Sequence, residues 1–521
     1  MYQALLTRRY LTRKIMPLLA SLAVVLCTAM VLITWSVMGG FLRMLTESGR
    51  SLIGDVRIVW PQTGFAHYDD LIDRLEADPM IGAATPVIDT FASITLPDGR
   101  TDGVQVRGID GPSFAKVTTY SDALYWKPLE QAVPRDKQRE DPRLRARTRD
   151  NSPPTWEQLK DNGLALTRPD FATGEPVPAV VPGIEVTRLN LRETWGGYSP
   201  LKYRTLGADG SETLTDEFMP ISGELTVRVF PLDSRGRPRE SVPRVFPIAN
   251  EFESGLYDVD SSTVLVHLET LQRMLRMDEA VRVVESVPLL GAEADPFADP
   301  FGGAQGFETE PARVTTVLVR HAQDDGDVDA LRARCEEIYA EFAIAHVGEV
   351  PSSRQISIET WADANRTLIA AVEKETGLVL IVFTFISMTA VFLVLAIFWA
   401  MVSEKTRDIG ILRALGAGQS GVAWVWVRYG GAIGIVGSTL GGALAWAIVS
   451  NINEIHDWMG QELGLYVWDP TVYVFKEIPR EINPQHAAIV LIGGVASCLI
   501  GALIPAARAA SMDPVRALRF E

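Results

Sequence analysis

Four long runs without a charged side chain constrain this chain more than any other feature. They lie at residues 17–40, 376–402, 429–450 and 487–507. About 20 apolar residues cross the hydrocarbon core of a bilayer as a helix, and every one of these runs reaches that length. Lipid offers no hydrogen-bonding partner to the backbone, so a spanning run closes its hydrogen bonds within a helix. The sequence therefore predicts a membrane protein with four transmembrane α-helices, one N-terminal and three C-terminal.

The region between the first and second runs, residues 41–375, contains no spanning run. Residues 55–60 and 223–231 alternate apolar and polar side chains, which is typical of strands. Residues 68–77 and 327–342 repeat apolar side chains at helical spacing. We predict a large α+β domain inserted between the first and second transmembrane helices.

Two segments of this domain have the composition of insertions. The first insertion spans about residues 127–160, and its part 127–150 is dense in charged residues and proline. The second, residues 286–312, is acidic, rich in glycine and proline, and lacks Lys and Arg. Both have too few apolar side chains to predict a packed core. For the basic stretch at 135–149, we favour a solvated loop over contact with anionic lipid headgroups.

The placement of basic residues predicts the orientation in the membrane. The terminal segments 1–16 and 508–521 and the connecting segment 403–428 are rich in Lys and Arg, whereas the loop 451–486 is acidic. By the positive-inside rule, both termini and residues 403–428 are cytoplasmic, and residues 41–375 and 451–486 are periplasmic. The first run could be a signal peptide, but its length and its lack of a small-x-small cleavage site favour an uncleaved helix. The predicted location is the inner (cytoplasmic) membrane, with the chain crossing it several times.

Composition and motifs exclude several functional classes. A net charge of −16 argues against a nucleic-acid partner. Of the three cysteines, only Cys335 lies in the large domain, since Cys27 and Cys498 lie in apolar runs. No disulfide can therefore form within that domain. The chain has no phosphate-binding loop motif, no H-E-x-x-H and no G-x-S-x-G, and its six histidines are scattered. We therefore predict no catalytic residue, no metal site and no cofactor in this chain, and we predict that it is not an enzyme.

The charged stretch at residues 403–417, between the second and third runs, is the predicted site of force coupling. Its apolar residues Ile409, Leu412 and Leu415 form a stripe at helical spacing, and Glu404 can pair with Arg407. Gly416 suits the position just past a helix C-terminus. A solvated loop is the alternative interpretation. The candidate residues for contact with a cytoplasmic partner are Glu404, Lys405, Arg407, Asp408, Ile409, Leu412, Arg413 and Leu415.

Small residues are spaced three or four positions apart in the last two runs. They are Gly430, Gly434, Gly437 and Gly441 in the third run, and Gly493, Ser497 and Gly501 in the fourth. Such spacing allows close approach of helices in lipid, so we predict that these rows are helix-packing faces. No ionisable residue lies in the middle of a run, which disfavours an ion-coupled solute pathway.

Short motifs along nearly the whole chain resemble the FtsX/MacB-type permeases of ABC transporters, and most closely the lipoprotein-releasing (Lol-type) permeases. The segments that carry the resemblance are residues 35–41 (WSVMGGF), 106–110 (VRGID), 252–260 (FESGLYDVD), the approach Trp361, Asn365, Glu373 and Lys374, the stretch 405–417, and the tail 505–521. Gly111 departs from the pattern, because these permeases usually carry proline there, and the two insertions are a second departure.

The resemblance implies a set of partners and a function. A separate cytoplasmic ATPase dimer would bind ATP and Mg, a second permease chain would pair in the bilayer as a homodimer or heterodimer, and movement would pass to the periplasmic domain. Lol-type permeases release lipoproteins from the inner membrane to a periplasmic carrier. Two alternatives stay open, a MacB-like efflux component and an FtsX-like transmembrane regulator of a periplasmic cell-wall hydrolase.

Overall fold

The computed structural model describes most of the chain. The described residues are 15–50, 52–96, 99–128, 154–170, 173–192, 197–206, 212–216, 218–232, 237–285, 305–323, 326–465, 468, 478–480, 482–513, 515 and 517. The chain divides into two compact units. The membrane unit comprises residues 1–45, 366–469 and 477–521, and the mixed unit comprises residues 46–365 and 470–476.

The helices and strands of the described residues are numbered in chain order. The helices are α1 (Ile15–Arg50), α2 (Tyr68–Glu76), α3 (Gly111–Val117), α4 (Tyr120–Ala123), α5 (Trp156–Ala165), α6 (Met219–Ser222), α7 (Tyr257–Ser262), α8 (Leu268–Leu275), α9 (Val328–Ala345), α10 (Trp361–Ala364), α11 (Arg366–Glu404), α12 (Thr406–Ala414), α13 (Gln419–Ser450), α14 (Ile452–Leu463) and α15 (Pro484–Ala510). The strands are β1 (Val56–Val59), β2 (Phe65–Ala66), β3 (Ile81–Thr95), β4 (Thr101–Ile109), β5 (Thr167–Pro169), β6 (Pro176–Pro178), β7 (Val180–Pro182), β8 (Asn190–Arg192), β9 (Tyr198–Pro200), β10 (Lys202–Leu206), β11 (Glu212–Asp216), β12 (Glu224–Val229), β13 (Val242–Pro247), β14 (Thr263–His267), β15 (Ala280–Glu285), β16 (Gln305–Glu310), β17 (Arg313–Val314), β18 (Thr316–His321) and β19 (Ser357–Thr360).

The membrane unit is built on the four predicted helices. Its candidate spans are Leu18–Phe41 in α1, Ile369–Glu404 in α11, Gln419–Ser450 in α13 and Pro484–Ala510 in α15. The prediction of one N-terminal and three C-terminal spanning helices is confirmed, and the chain is a multi-pass membrane protein. Asn483 begins α15 by accepting a hydrogen bond from the N–H of Gln485, a standard N-cap arrangement.

Two boundaries in the membrane unit differ from the sequence prediction. The third long helix begins at Gln419, so residues 419–428 belong to α13 and not to the connecting segment. The predicted loop 451–486 contains α14, whose apolar residues lie on one side of the helix. The first difference arises because Arg428 marks the limit of the apolar run, whereas the helix itself continues past it to Gln419. Helix α14 is a separate helix, divided from α13 at Asn451.

The mixed unit is organised around a sheet in which nine of the described strands take part. Its main path runs β19-β1-β18-β3-β4-β14-β7, and β12 pairs with the second half of β3 and with β13. Only β4 and β14 run parallel among these pairs; the others are antiparallel. The predicted mixed α/β character of the region is confirmed.

Helices cover both faces of this sheet. Along β3, Ala84 and Ile88 pack in one core, whereas Ala83 and Val87 pack in the other. Helices α2, α8 and α9 contribute to the first core, and α3 and α4 contribute to the second. Alternating side chains of a strand point to opposite faces, so a strand buried on both faces reads as a nearly continuous apolar run.

The predicted insertions lie largely outside the described residues, at 129–153 and 286–304. The described end of the first one is helical, because α5 begins at Trp156 after a capping box formed by Thr155 and Gln158. Leu159 of this helix is 1% exposed and packs with Trp126 and Phe218. At the end of the second, β16 pairs antiparallel with β15.

Candidate coupling site

The predicted coupling stretch is a separate short helix. Helix α11 ends at Glu404 and α12 begins at Thr406, so one residue, Lys405, joins them. The N–H of Lys405 still donates to the carbonyls of Met401 and Val402, and its Nζ lies 2.8 Å from Oδ2 of Asp408. These bonds fix the angle at which α12 leaves α11, since the joint has no further linker residue.

The C-terminus of α12 is closed by a Schellman motif. The N–H of Gly416 donates to the carbonyl of Arg413, and the N–H of Ala417 donates to that of Leu412. Gly416 has a φ of 96°, in the left-handed region that favours glycine. The prediction that Gly416 follows the helix end is confirmed.

The predicted apolar stripe divides between two directions. Ile409 is 3% exposed and packs in the core of the membrane unit with Val402 and Val422, and Leu412 is half-buried. Leu415 is 80% exposed, and Ile411, four residues before it, is 44% exposed. Residues four apart share a helix face, so Ile411 and Leu415 form one outward apolar pair. Sequence reasoning missed Ile411, although its spacing from Leu415 is a usable signal.

The charged candidates lie around this apolar pair. Glu404 and Arg407 are exposed, whereas Lys405, Asp408 and Arg413 are half-buried. The Nε of Arg413 is buried and has no hydrogen-bonding partner among the described residues. The site thus combines an anchored apolar side, an outward apolar pair and both signs of charge, which suits the docking of another protein more than any covalent chemistry.

The glycines of α13 pack against two different helices. A Cβ placed on Gly430 would lie 2.7 Å from the Ala502 side chain of α15, and one on Gly434 would lie 3.0 Å from Cys498. One on Gly437 would lie 2.8 Å from Val24 of α1, and one on Gly441 would lie 2.7 Å from the carbonyl of Val25.

The small residues that were predicted to form one packing face on α15 lie in two different environments. A Cβ on Gly501 would lie 3.1 Å from Val394 of α11, but one on Gly493 would meet no described atom within 4 Å. Gly493 and Ser497 instead line a cavity of about 230 Å³ between α1, α11 and α15. The close contact on this helix is made by Gly494, where a Cβ would lie 2.4 Å from Oγ of Ser438.

The motif at residues 252–260 forms a closed turn in the mixed unit. The buried Asp260 accepts hydrogen bonds from the N–H and the hydroxyl of Ser254, at 2.6 and 2.7 Å. Burial raises the pKa of Asp260 to about 6, although the hydrogen bonds from Ser254 oppose this rise. Because its side-chain contacts are internal, this motif shapes the fold.

The motif at residues 106–110 is likewise internal. Arg107, 7% exposed, donates from Nε to Oδ1 of Asp89 at 2.7 Å and from an Nη to the carbonyl of Leu52 at 2.7 Å. Asp110 caps α3 by accepting the N–H of Ser113 at 3.1 Å. A Cβ on the next residue, Gly111, would lie 1.7 Å from the carbonyl oxygen of Leu164 in α5. The departure from proline at this position therefore accompanies the close packing of α5.

The sequence predicted no metal site, and the fold brings together three residues whose side chains are of types that can ligate a metal. One ligand atom each of His67, His346 and Glu349 lies within 4.8 Å of the others. The sequence did not reveal the cluster, because His67 lies far from His346 and Glu349 along the chain. The H-x-x-E spacing of His346 and Glu349 was the one local signal.

Comparison with known proteins agrees with the arrangement of the spans. The family model described as FtsX-like permease C-terminal matches residues 380–514, which contain most of α11 and all of α12, α13 and α15 up to Ala510. These are the helices that surround the candidate coupling site.

The curated relatives are named lipoprotein-releasing system transmembrane proteins. The chain is 24% identical to LolC of Neisseria meningitidis serogroup B over 287 residues, which cover 54% of this chain and 58% of that protein. It is 23% identical to LolC of Xylella fastidiosa over 287 residues, with the same two shares, 54% and 58%. It is 28% identical to LolE of Haemophilus influenzae over 117 residues, which cover 22% of this chain and 28% of that protein.

The match thus spans little more than half the length of the LolC relatives, 58%. Within that share, the similarity and the four spanning helices identify the chain as a protein with an FtsX-like permease domain and a distant homologue of the LolC and LolE lipoprotein-releasing permeases.

Proposed function

We propose that this chain is the non-catalytic permease subunit of an ABC transporter that releases lipoproteins from the inner membrane. A separate cytoplasmic ATPase dimer hydrolyses ATP and docks on α12. A second permease chain completes the membrane part, and the mixed unit acts on the substrate in the periplasm. The observation that carries the proposal is the exposed apolar pair Ile411 and Leu415 on a helix anchored to the spanning helices.

The anchoring of α12 supports its role as a force-transmitting element. Ile409 packs in the same core as Phe398 of α11, Trp426 of α13 and Ala509 of α15. Protein cores are close-packed and resist compression, so a displacement of α12 displaces the helices that hold Ile409. At its glycines, α13 contacts α1 and α15 so closely that a displacement of one helix would displace the others.

The chain connections suggest how movement reaches the mixed unit. Helix α1 leads into β1, and β19 leads through α10 into α11. Strands β1 and β19 pair along their whole length, and Arg57 forms an ion pair with Glu359 across them. A relative movement of α1 and α11 would therefore act on two adjacent strands of one sheet.

The substrate assignment rests on the names of the relatives and on the motif resemblance. The relatives are named for lipoprotein release, and the chain matches 58% of the LolC length. A second permease chain is proposed on the same ground. An exposed apolar surface on α11 is consistent with such a second chain. It is formed by Leu378, Phe385 and Phe392, whose side chains are 63%, 60% and 61% exposed. Lipid would cover this surface equally well.

The coupling proposal is tested by placing charge on the outward pair. We expect the double variant Ile411→Asp and Leu415→Asp to lose co-purification of an ABC ATPase and to lose ATP-dependent lipoprotein release from spheroplasts. Burying a carboxylate in an apolar contact is costly, which is the reason for the expected loss.

The matched control is Leu465→Asp. Leu465 is 55% exposed and lies in the segment predicted on the opposite side of the membrane. Its variant should keep both activities. Unchanged ATPase co-purification and release in the Ile411/Leu415 double variant would show that α12 is not the docking site.

The substrate proposal needs its own experiment. A cleft of about 730 Å³ in the mixed unit is rimmed by Phe91, 80% exposed, and Phe230, 43% exposed. Photoreactive residues at these two positions should crosslink acylated lipoproteins in the cell. Exclusive crosslinks to a cell-wall hydrolase would instead indicate the FtsX-like regulator, and crosslinks to an outer-membrane channel adaptor would indicate the MacB-like component.

A further inference from the structure

A cluster of two histidines and a glutamate lies in the mixed unit, whereas the candidate coupling site belongs to the membrane unit. Nε2 of His67 lies 2.5 Å from Oε2 of Glu349. The rings of His67 and His346 stack with centroids 4.3 Å apart and planes 14° apart. One ligand atom from each of the three residues lies within 4.8 Å of the other two. Three side chains that can each supply an N or O ligand thus lie next to one another.

Two helix ends build the cluster. His67 is the residue before α2, and it adopts a left-handed backbone with a φ of 59°. His346 is the C-cap of α9, and the N–H of Glu349 donates to its carbonyl, which closes a turn. Gly348, with a φ of 91°, permits that turn. Left-handed conformations of residues other than glycine are uncommon and cost energy, so the backbone at His67 is held there by its surroundings.

A carboxylate orients one of the two rings. Nε2 of His346 lies 2.9 Å from Oδ2 of Asp70, and Nε of Arg74 donates to the same oxygen at 2.9 Å. If Nε2 carries the proton in this hydrogen bond, Nδ1 is left with its lone pair. Metal-ligating histidines commonly donate their other ring N–H to a carboxylate in this way.

We propose that His67, His346 and Glu349 form a binding site for a divalent first-row transition ion, of which Zn²⁺ is the representative case, with Asp70 as the residue that orients His346. Imidazole nitrogens with a carboxylate suit Zn²⁺, Cu²⁺ and Ni²⁺ and disfavour Mg²⁺ and Ca²⁺, which prefer oxygen ligands alone. Three protein ligands leave a fourth position for water or another ligand.

The side chains must adjust to accept an ion, because the in-plane lone pairs of two nearly parallel imidazole rings do not point to a common position, so one ring has to turn about its side-chain torsions. Bonds of about 2.0–2.1 Å in a tetrahedral site place ligand atoms ~3.3 Å apart. The contact between His67 and Glu349 must therefore widen by less than about 1 Å. The side chain of Glu349 is 63% exposed and can make that movement.

A bound ion would fasten α2 to the turn that follows α9. Helix α9 packs against β19 and β1, the strands nearest the chain connections to α1 and α11. The ion would thus stiffen the part of the mixed unit from which both connections leave. Any ion that binds the folded chain and not the unfolded chain also raises the unfolding temperature by mass action.

The test uses the full chain in detergent micelles, purified through an affinity tag that contains no histidine. Zn²⁺ binding is measured by competition with a chelating indicator dye, and Co²⁺ serves as a spectroscopic probe of the ligands. We expect one equivalent of Zn²⁺, visible absorption from bound Co²⁺, and a higher unfolding temperature with Zn²⁺. The variants His67→Gln, His346→Gln and Glu349→Gln should each weaken Zn²⁺ binding by ~10-fold or more, and Asp70→Asn should weaken it by about 10-fold.

The control variant is His267→Gln, which removes a histidine of the same unit outside the cluster. It should bind Zn²⁺ as the unaltered chain does. The proposal is overturned if the unaltered chain binds no Zn²⁺ and shows no Co²⁺ absorption, a result that does not depend on any variant folding. It is equally overturned if His67→Gln and His346→Gln bind Zn²⁺ with unaltered affinity.

Discussion

At the scale of single residues, buried polar groups and close backbone contacts hold the mixed unit together. Glu251 is fully buried, and its carboxylate accepts hydrogen bonds from Nε1 of Trp126 and Nδ2 of Asn190, both at 2.8 Å. Burial raises the pKa of Glu251 to about 7, and the hydrogen bonds from Trp126 and Asn190 oppose this rise. The residue lies directly before the motif at 252–260, whose own Asp260 is buried as well.

The raised pKa of Glu251 predicts a pH dependence of folding stability. Between pH values of about 4.5 and about 7, the folded chain keeps a proton on Glu251 that the unfolded chain has lost. The free energy of unfolding therefore falls as the pH rises through this window and levels off above it. We expect the contribution of Glu251 to this fall to be on the order of 1–3 kcal/mol and to be absent in Glu251→Gln, which cannot ionise.

The measurement is thermal unfolding of the purified chain at pH 5 and pH 8, followed by tryptophan fluorescence. Asp260 contributes a pH dependence of the same sign, which the variant retains, because burial also raises the pKa of that residue. Glu269→Gln, on the exposed side of α8, is the control. Equal pH dependence in Glu251→Gln and the unaltered chain would contradict the assignment.

At the scale of elements, the spanning helices were predictable from the sequence because an apolar run is a local signal. The short helix α12 and the role of Gly416 followed from local spacing in the same way. The direction in which each side chain points was not predictable, because it depends on how neighbouring helices pack. Ile409 and Leu415 thus point apart, and Gly493 faces a cavity although it shares a spacing with Gly501.

The unequal packing of the glycines gives a matched pair of variants. In Gly437→Val the new side chain meets Val24 of α1, where a Cβ alone would lie at 2.8 Å. Overpacking of this kind costs about 1–3 kcal/mol. Gly493→Val adds the same atoms at a position where no described atom lies within 4 Å of the Cβ.

Thermal unfolding in detergent compares the two. Gly437→Val should lower the unfolding temperature of the membrane unit, and Gly493→Val should leave it close to that of the unaltered chain. Equal effects of the two variants would mean that the contact of α13 with α1 does not depend on a small residue at 437.

At the scale of the whole molecule, the proposed function would link α12, predicted to be cytoplasmic, through the chain itself to the mixed unit, predicted to lie on the other side of the membrane. The predicted orientation rests on the placement of basic residues, and the proposed substrate rests on relatives that the chain matches over 58% of their length. The cluster of His67, His346 and Glu349 lay beyond sequence reasoning, because His67 is far from the other two along the chain and meets them only where α2 packs against α9.

The central claim is that α12 is the docking site of a cytoplasmic ATPase, and site-specific crosslinking in cells tests it most directly. A photoreactive residue replaces Leu415, or Leu465 in the control, and the trapped proteins are identified by mass spectrometry. Position 415 is expected to trap a protein that carries the G-x-x-x-x-G-K-[ST] phosphate-binding loop, and position 465 is expected to trap none. A phosphate-loop protein trapped from position 465 and not from position 415 would contradict both the docking site and the orientation of the chain.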